Sequence, residues 1–284
     1  MKKILILGHK GRIGKQIYKY LTKDKHLEIR CADLKNDNDL KKKIVYTDIR
    51  KNTVGEHRNK TRFKESNYLF IKKIVNIMML SKKKKLIIHF SSCSVYENNS
   101  SNLISWKTKP NKPESLYART KFWGDQHIIE ESKKNFFYYY IVRTPQVLGK
   151  KMENSSLLKL KKISRFNLLF LLNSSNYFYN YIFMSDILMF IKKSIKLKKN
   201  SHNKTIIIAE NIQYKKLVNI ILKISPNKNF IYKNIFSNYF YLILKILDKF
   251  FIKKSKILKV LLNKKIYLSN LDFKTKLIKT NDVK

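Results

Sequence analysis

Lys3-Ile4-Leu5-Ile6-Leu7-Gly8-His9-Lys10-Gly11-Arg12-Ile13-Gly14 is the stretch that decides the fold of this chain. An apolar run that stops at a glycine reads as a strand buried on both faces. Gly8, Gly11 and Gly14 follow in the pattern GxxGxxG, and helical spacing begins at Ile13. Glycines at the first strand-to-helix turn let the backbone bend sharply and approach a pyrophosphate. The helix N-terminus then offers unpaired N–H groups and the positive end of its dipole. Gly8, Gly11, Arg12, Ile13 and Gly14 are therefore candidate cofactor-binding residues. Asp33, at the end of the next apolar run, is placed to accept ribose hydroxyls, which favours NAD over NADP. Arg12 and Lys35 leave NADP as the alternative.

The same alternation continues outward. Residues 27–32, 86–90 and 138–143 read as strands, with 44–46 as a weaker one. Residues 68–80 and 117–131 read as helices, and the polar stretch 51–64 as a loop. Strands alternating with helices predict an α/β fold of the Rossmann type, a doubly wound parallel sheet. Beyond Gly149 the pattern changes. Helices are expected over 157–172, 185–195, 214–224, 235–251 and 255–262, with strands at 181–184 and 205–208. This divides the chain into a cofactor domain, 1–150, its sheet completed by 179–210, and a smaller, mainly helical C-terminal substrate lobe, 151–178 with 211–284.

Composition narrows the classes. The 284 residues carry 62 Lys and Arg against 19 Asp and Glu, a formal charge of +43. The lysines are spread along the whole chain, so the charge reads as biased composition, not as a nucleic-acid surface. Cys31 and Cys93 show no CxxC spacing. They suggest a reducing, cytoplasmic setting with no disulfide framework. The leading apolar run is too short for a signal peptide, and no stretch is long enough to span a bilayer. No metal-ligating cluster stands out. Residues 234–254 mix aromatic, aliphatic and basic side chains, which suits either core helices or peripheral contact with an inner-membrane surface.

Tyr-x-x-x-Lys occurs three times, at Tyr68/Lys72, Tyr117/Lys121 and Tyr241/Lys245. Only Tyr117/Lys121 has a chemical setting. The strand 86–90 delivers Ser91 and Ser92 at its carboxyl end, where open α/β sheets bind ligands. A Tyr and a Lys four residues apart share a helix face. A cation about 4 Å from a phenol is worth up to roughly 4 kcal/mol at intermediate dielectric. Lys121 is therefore expected to draw Tyr117 toward the range of a general base. Ser92 would hold the substrate oxygen. Ser92, Tyr117 and Lys121 are the candidate catalytic residues.

With these motifs the chain resembles the extended short-chain dehydrogenases/reductases of the NAD-dependent epimerase/dehydratase family, over about residues 3–210. The resemblance rests on the glycine loop, Asp33, Ser91-Ser92-x-x-Val95-Tyr96 and Tyr117-x-x-x-Lys121. Two further motifs carry it, Arg143-Thr144-Pro145-x-Val147-x-Gly149 and 181–186. It implies NAD(P) as cofactor, with Ser91, Tyr117 and Lys121 contributing to its binding and Asn67 supporting Lys121. It also implies a nucleotide-sugar or lipid-linked sugar substrate, a homodimer and no nucleic-acid partner. Cys93 and Ser94 stand where the family's dehydratases carry Asp-Glu, so a C4 epimerase of surface polysaccharide biosynthesis is the expectation. A NADPH-dependent reductase/epimerase is the alternative, and a non-catalytic NAD(P)-binding protein a further one. Arg12, Glu97 and the Tyr179-Asn180 pair depart from the family pattern.

Overall fold

The computed structural model describes residues 2–32, 49–52, 62–80, 84–149, 177–196, 203–224 and 264–269. Six parallel strands form the main sheet: β1 (Lys2–Leu7), β2 (Leu27–Ala32), β3 (Ile49–Asn52), β4 (Lys85–Ser92), β6 (Phe137–Thr144) and β9 (Lys204–Ile207). Their order is β2-β1-β3-β4-β6-β9. The order reverses on either side of β1, which places the ligand crevice outside the carboxyl ends of β1 and β3.

Both sheet faces are covered, as the apolar runs require. Ile4 and Ile6 point to one face, where helix α1 (Arg12–Leu21) supplies Ile17 and Leu21. Helix α4 (Met184–Lys196) closes that face with Ile187, Phe190 and Ile191. Leu5 and Leu7 point to the other face. There helix α2 (Phe70–Met79) buries Phe70, Ile71, Ile74, Val75 and Met78, and α3 (Leu116–Ser132) buries Ile128. A π-helical turn, Glu65–Leu69, leads into α2 and buries Asn67 completely.

Helix α3 crosses this turn closely. A Cβ on Gly124 would come within 2.7 Å of the Asn67 carbonyl oxygen, which is backbone and cannot swing away. Helix propensity alone would favour Ala by up to about 1 kcal/mol, but overpacking costs about 1–3 kcal/mol. Gly124→Ala is thus expected to destabilise the protein, and chemical denaturation gives the sign.

Two elements depart from the sequence reading, a strand inside the expected loop and a strand of 179–210 that lies outside the main sheet. The polar stretch 51–64 was expected to be a loop, yet Lys51 and Asn52 belong to β3, which pairs with β1 and β4 on its two sides. Two-sided backbone pairing decides its state, whatever its side chains. The strand expected at 181–184 is Phe178–Phe183 (β8), and Met184 already opens α4. β8 lies in a second sheet, between β7 (Gln146–Leu148) and the antiparallel β10 (Glu210–Gln213). Helix α5 (Tyr214–Ile224) follows β10. The elements expected at 44–46, 157–172, 235–251 and 255–262 lie outside the described residues, as do Asp33, Lys35 and 234–254.

A last short strand, β11 (Ile266–Tyr267), pairs with β5 (Leu103–Ile104) in the segment between Ser92 and Tyr117. Two asparagines facing each other across β8 and β10 hold its backbone. Asn211 both donates to the Tyr267 carbonyl and accepts from its N–H, each at 2.9 Å, and Asn180 donates to the Lys265 carbonyl at 3.0 Å. The Tyr267 hydroxyl donates to the Cys93 carbonyl at 3.3 Å. Tyr267 thereby joins a small core with Cys93, Val95, Tyr96, Ile104, Ile207 and Ala209.

Candidate active site

The glycine loop forms a cradle at the carboxyl end of β1. Gly8 has φ of 77°, a conformation that a side chain disfavours. The Gly11 N–H donates to the Gly8 carbonyl, and a Cβ on Gly11 would lie 3.2 Å from that oxygen. Gly11 caps α1 without a side-chain hydrogen bond, and no acid lies in the first turn. The amides of Arg12, Ile13 and Gly14 sit at this uncapped start. A helix N-terminus of this kind suits the pyrophosphate of NAD(P), so the residues present fit the cofactor.

β4 carries Ser91 and Ser92 to the same edge of the sheet, with Ser92 beside Thr144 of β6. Ser92 then caps a 3-10 turn, Cys93–Tyr96: its Oγ accepts from the Ser94 N–H at 3.2 Å and from the Ser94 hydroxyl at 3.0 Å. Ser115 starts α3 by accepting from the Ala118 N–H at 3.2 Å. Glu97 binds both the Ser115 N–H and its hydroxyl, the latter at 2.8 Å. A residue that looked like a departure from the family thus ties the Ser92 turn to the head of the Tyr117 helix, where a negative charge suits the dipole.

Tyr117 lies half-buried, its ring edge-on to Phe63 at 5.8 Å between centroids. Burial pushes the phenol above its usual acidity range, and the hydrogen bond with the Ser92 hydroxyl pulls it back. The Lys121 ammonium, 4% exposed, donates to the Phe90 carbonyl at 3.1 Å. Burial brings Lys121 down to about 8, opposed by Asp125. The expectation that Lys121 would tune Tyr117 is therefore corrected: in the protein alone Ser92 is the group that lowers the phenol, because the lysine stem aims its charge at β4. Asn67, expected to support Lys121 through water, donates to the Thr120 hydroxyl at 3.2 Å.

Beneath the trio lies a buried polar network that hydropathy reading did not find. Arg143 places Nε and Nη2 each 2.9 Å from Asp125 Oδ2, and Nη1 2.6 Å from the Tyr96 hydroxyl. His89 Nε2 lies 3.5 Å from Asp125 Oδ1, with both side chains fully buried. Burial resists ionisation of Asp125, but Arg143, His89 and Ser91 outweigh it and hold the carboxyl below its usual range. The available signal was the spacing: Asp125 continues the four-residue step of Tyr117 and Lys121 along one helix.

Burial also lowers the pKa of His89 despite Asp125. A histidine depressed in the folded state binds fewer protons there than in the unfolded chain. Its share of stability is intact above about pH 6.5, the unfolded value, and is lost as pH falls toward the folded one. The slope is at most ~1.4 kcal/mol per pH unit. Melting followed between pH 7 and 5 is expected to drop along this limb, and His89→Gln is expected to flatten it.

Cys93 is 2% exposed, and burial pushes its thiol far upward. Among the described residues no group of three His, Cys, Asp or Glu side chains can hold a metal ion. No helix among them is long and apolar enough to cross a membrane.

Residues 1–173 match the family model described as RmlD substrate binding domain. No curated protein matches the sequence. Among solved structures, the chain is similar to UDP-glucuronic acid 4-epimerase from Bacillus cereus in complex with NAD. That match has a TM-score of 0.66 and 18% identity, over 82% of this chain and 85% of the other. It is similar to dTDP-4-dehydrorhamnose reductase from Yersinia enterocolitica, with a TM-score of 0.61 and 16% identity over 79% and 80% of the two chains. RMD from Pseudomonas aeruginosa, complexed with NADPH, aligns with a TM-score of 0.59 and 14% identity over 79% and 84%.

Proposed function

The chain belongs to the RmlD substrate binding domain family, and from that premise we propose that it is an NAD(P)-dependent enzyme acting on a sugar nucleotide. The observation that carries this reading is the meeting of Ser92 and Tyr117 at the carboxyl edge of the sheet that also presents the Gly8–Gly14 cradle. The similarity to a UDP-glucuronic acid 4-epimerase in complex with NAD, to a dTDP-4-dehydrorhamnose reductase and to RMD complexed with NADPH supports it.

The finer reading is a C4 epimerase. The amides of Arg12, Ile13 and Gly14 would hold the pyrophosphate over the turn that Gly8 and Gly11 shape, and Ser91, Tyr117 and Lys121 the nicotinamide half. Bound there, NAD(P) supplies a hydride acceptor and donor. Tyr117 takes the proton from a sugar hydroxyl at its phenolic oxygen and gives it back to the ketone oxygen formed. Ser92 donates a hydrogen bond to that same oxygen and fixes its distance from Tyr117. Elimination of water needs an acid and a base beside Ser92. The buried, weakly acidic Cys93 and the neutral Ser94 supply neither, which speaks against dehydration. The same burial of Cys93 weakens a reductase that would use it for epimerisation. An NADPH-dependent reductase/epimerase is the second reading, supported by the similarity to a dTDP-4-dehydrorhamnose reductase and to RMD complexed with NADPH.

Mass spectrometry of the co-purifying nucleotide, followed by a nucleotide-sugar panel, tests this. Epimer formation without net cofactor consumption is expected. Stoichiometric NADPH oxidation would instead select the reductase. No bound nucleotide and no conversion of any sugar nucleotide would overturn the proposal. A homodimer is part of it, supported by the exposed Leu69 of the π turn and Leu116 and Trp123 of α3. Sedimentation reads that state directly.

A further inference from the structure

One guanidinium joins the two halves of the candidate catalytic set. Tyr117 and Lys121 sit on α3, whereas Ser92 caps the turn that ends at Tyr96. Arg143 reaches the helix through Asp125, at 2.9 Å, and the turn through the Tyr96 hydroxyl, at 2.6 Å. Its guanidinium also lies over the Tyr96 ring, 5.0 Å from the centroid. Asp125 and Tyr96 are 0% exposed and Arg143 2%, so none of these groups is solvated by bulk water.

We propose that Asp125 is a positioning residue for Ser92, Tyr117 and Lys121, acting through Arg143 on the Ser92 turn and through its own charge on Lys121. This rests on the reading of those three residues as the reacting set. The charged and titratable groups acting on Asp125 or Lys121 are His89 of β4, Arg143 of β6, Tyr96 of the turn and Tyr117 on α3 itself, with Cys93 acting on Tyr96, Tyr117 and Arg143. The π turn contributes only the uncharged Asn67, bound to Thr120. Among the described residues Asp125 is the one charged group opposing the loss of the Lys121 proton, beside the Phe90 carbonyl that accepts from it. Burial alone would drive the lysine further down. Deleting the carboxylate charge therefore moves Lys121 toward neutrality at working pH, and an uncharged lysine holds the Phe90 carbonyl, and so its own place beside the Ser92 strand, less firmly.

Lysine side-chain NMR across pH reads this without substrate or cofactor. In Asp125→Asn the Lys121 midpoint is expected to fall from about 8 by at least a pH unit, about a tenfold loss of proton affinity. Asp125→Glu is expected to recover most of the shift. A midpoint unchanged in Asp125→Asn, even with a lowered melting temperature, would mean a merely structural role and would overturn the proposal. Should Asp125→Asn fail to fold, the intact protein still answers. The Asp125 carboxyl carbon is expected to show a second inflection at the Lys121 midpoint, and a flat response there overturns the link. The functional reading fails separately, through turnover in a Tyr117 variant, because the NMR titration does not depend on activity.

Discussion

Tyr117→Phe is expected to lower turnover by about 10²–10⁴-fold, the range assigned to a positioned acid or base. The substitution removes one hydroxyl and keeps the ring, so the edge contact with Phe63 at 5.8 Å survives. Circular dichroism and melting should therefore stay near those of the parent. The partner hydroxyl of Ser92 would remain, still held by Ser94. Steady-state turnover at saturating sugar nucleotide, with cofactor supplied, is the measurement. Turnover within about tenfold of the parent would remove Tyr117 from the mechanism, because one general acid–base group should contribute more than that.

The second large effect is on stability. Arg143→Met strips the cation from a fully buried Asp125, whose charge His89 and Ser91 support only in part. Breaking a buried pair from one side costs about 3–5 kcal/mol. Urea denaturation is expected to show a loss of this order. The double variant Arg143→Met with Asp125→Asn should recover a large part of it, because the uncompensated charge is then gone. A single-variant loss below about 1 kcal/mol would class the pair with exposed ion pairs. Since the same pair links the Ser92 turn to α3, the single variant should lose activity at temperatures where it is still folded.

How much of this was readable beforehand differs by element. The two-faced burial of Ile4, Leu5, Ile6 and Leu7 and the cradle after them follow from a short apolar run and three glycines. Helix α3 was legible from its spacing, and Ser92 from its place after a buried strand. β3 was not, since Ile49-Arg50-Lys51-Asn52 carries no hydrophobic pattern and its strand state comes from the two neighbours it bonds. The direction of Lys121 was not legible either. Four-residue spacing puts Tyr117 and Lys121 on one face but leaves the lysine stem free to choose the Phe90 carbonyl. Asp125 and His89 belonged to no motif, and Arg143 stood in one without a stated role, because the burial of all three depends on partners from three separate elements.

The strand Ile266–Tyr267 has a consequence for the order in which a nascent chain matures. Its hydroxyl contact with Cys93 spans 174 positions. At about 5–20 residues per second, a ribosome needs roughly 9–35 s to travel from Cys93 to Tyr267. Through that interval Val95, Tyr96 and Ile104 lack the aromatic ring that finally covers them. Ser92 is thus synthesised early, and the wall beside it is finished late.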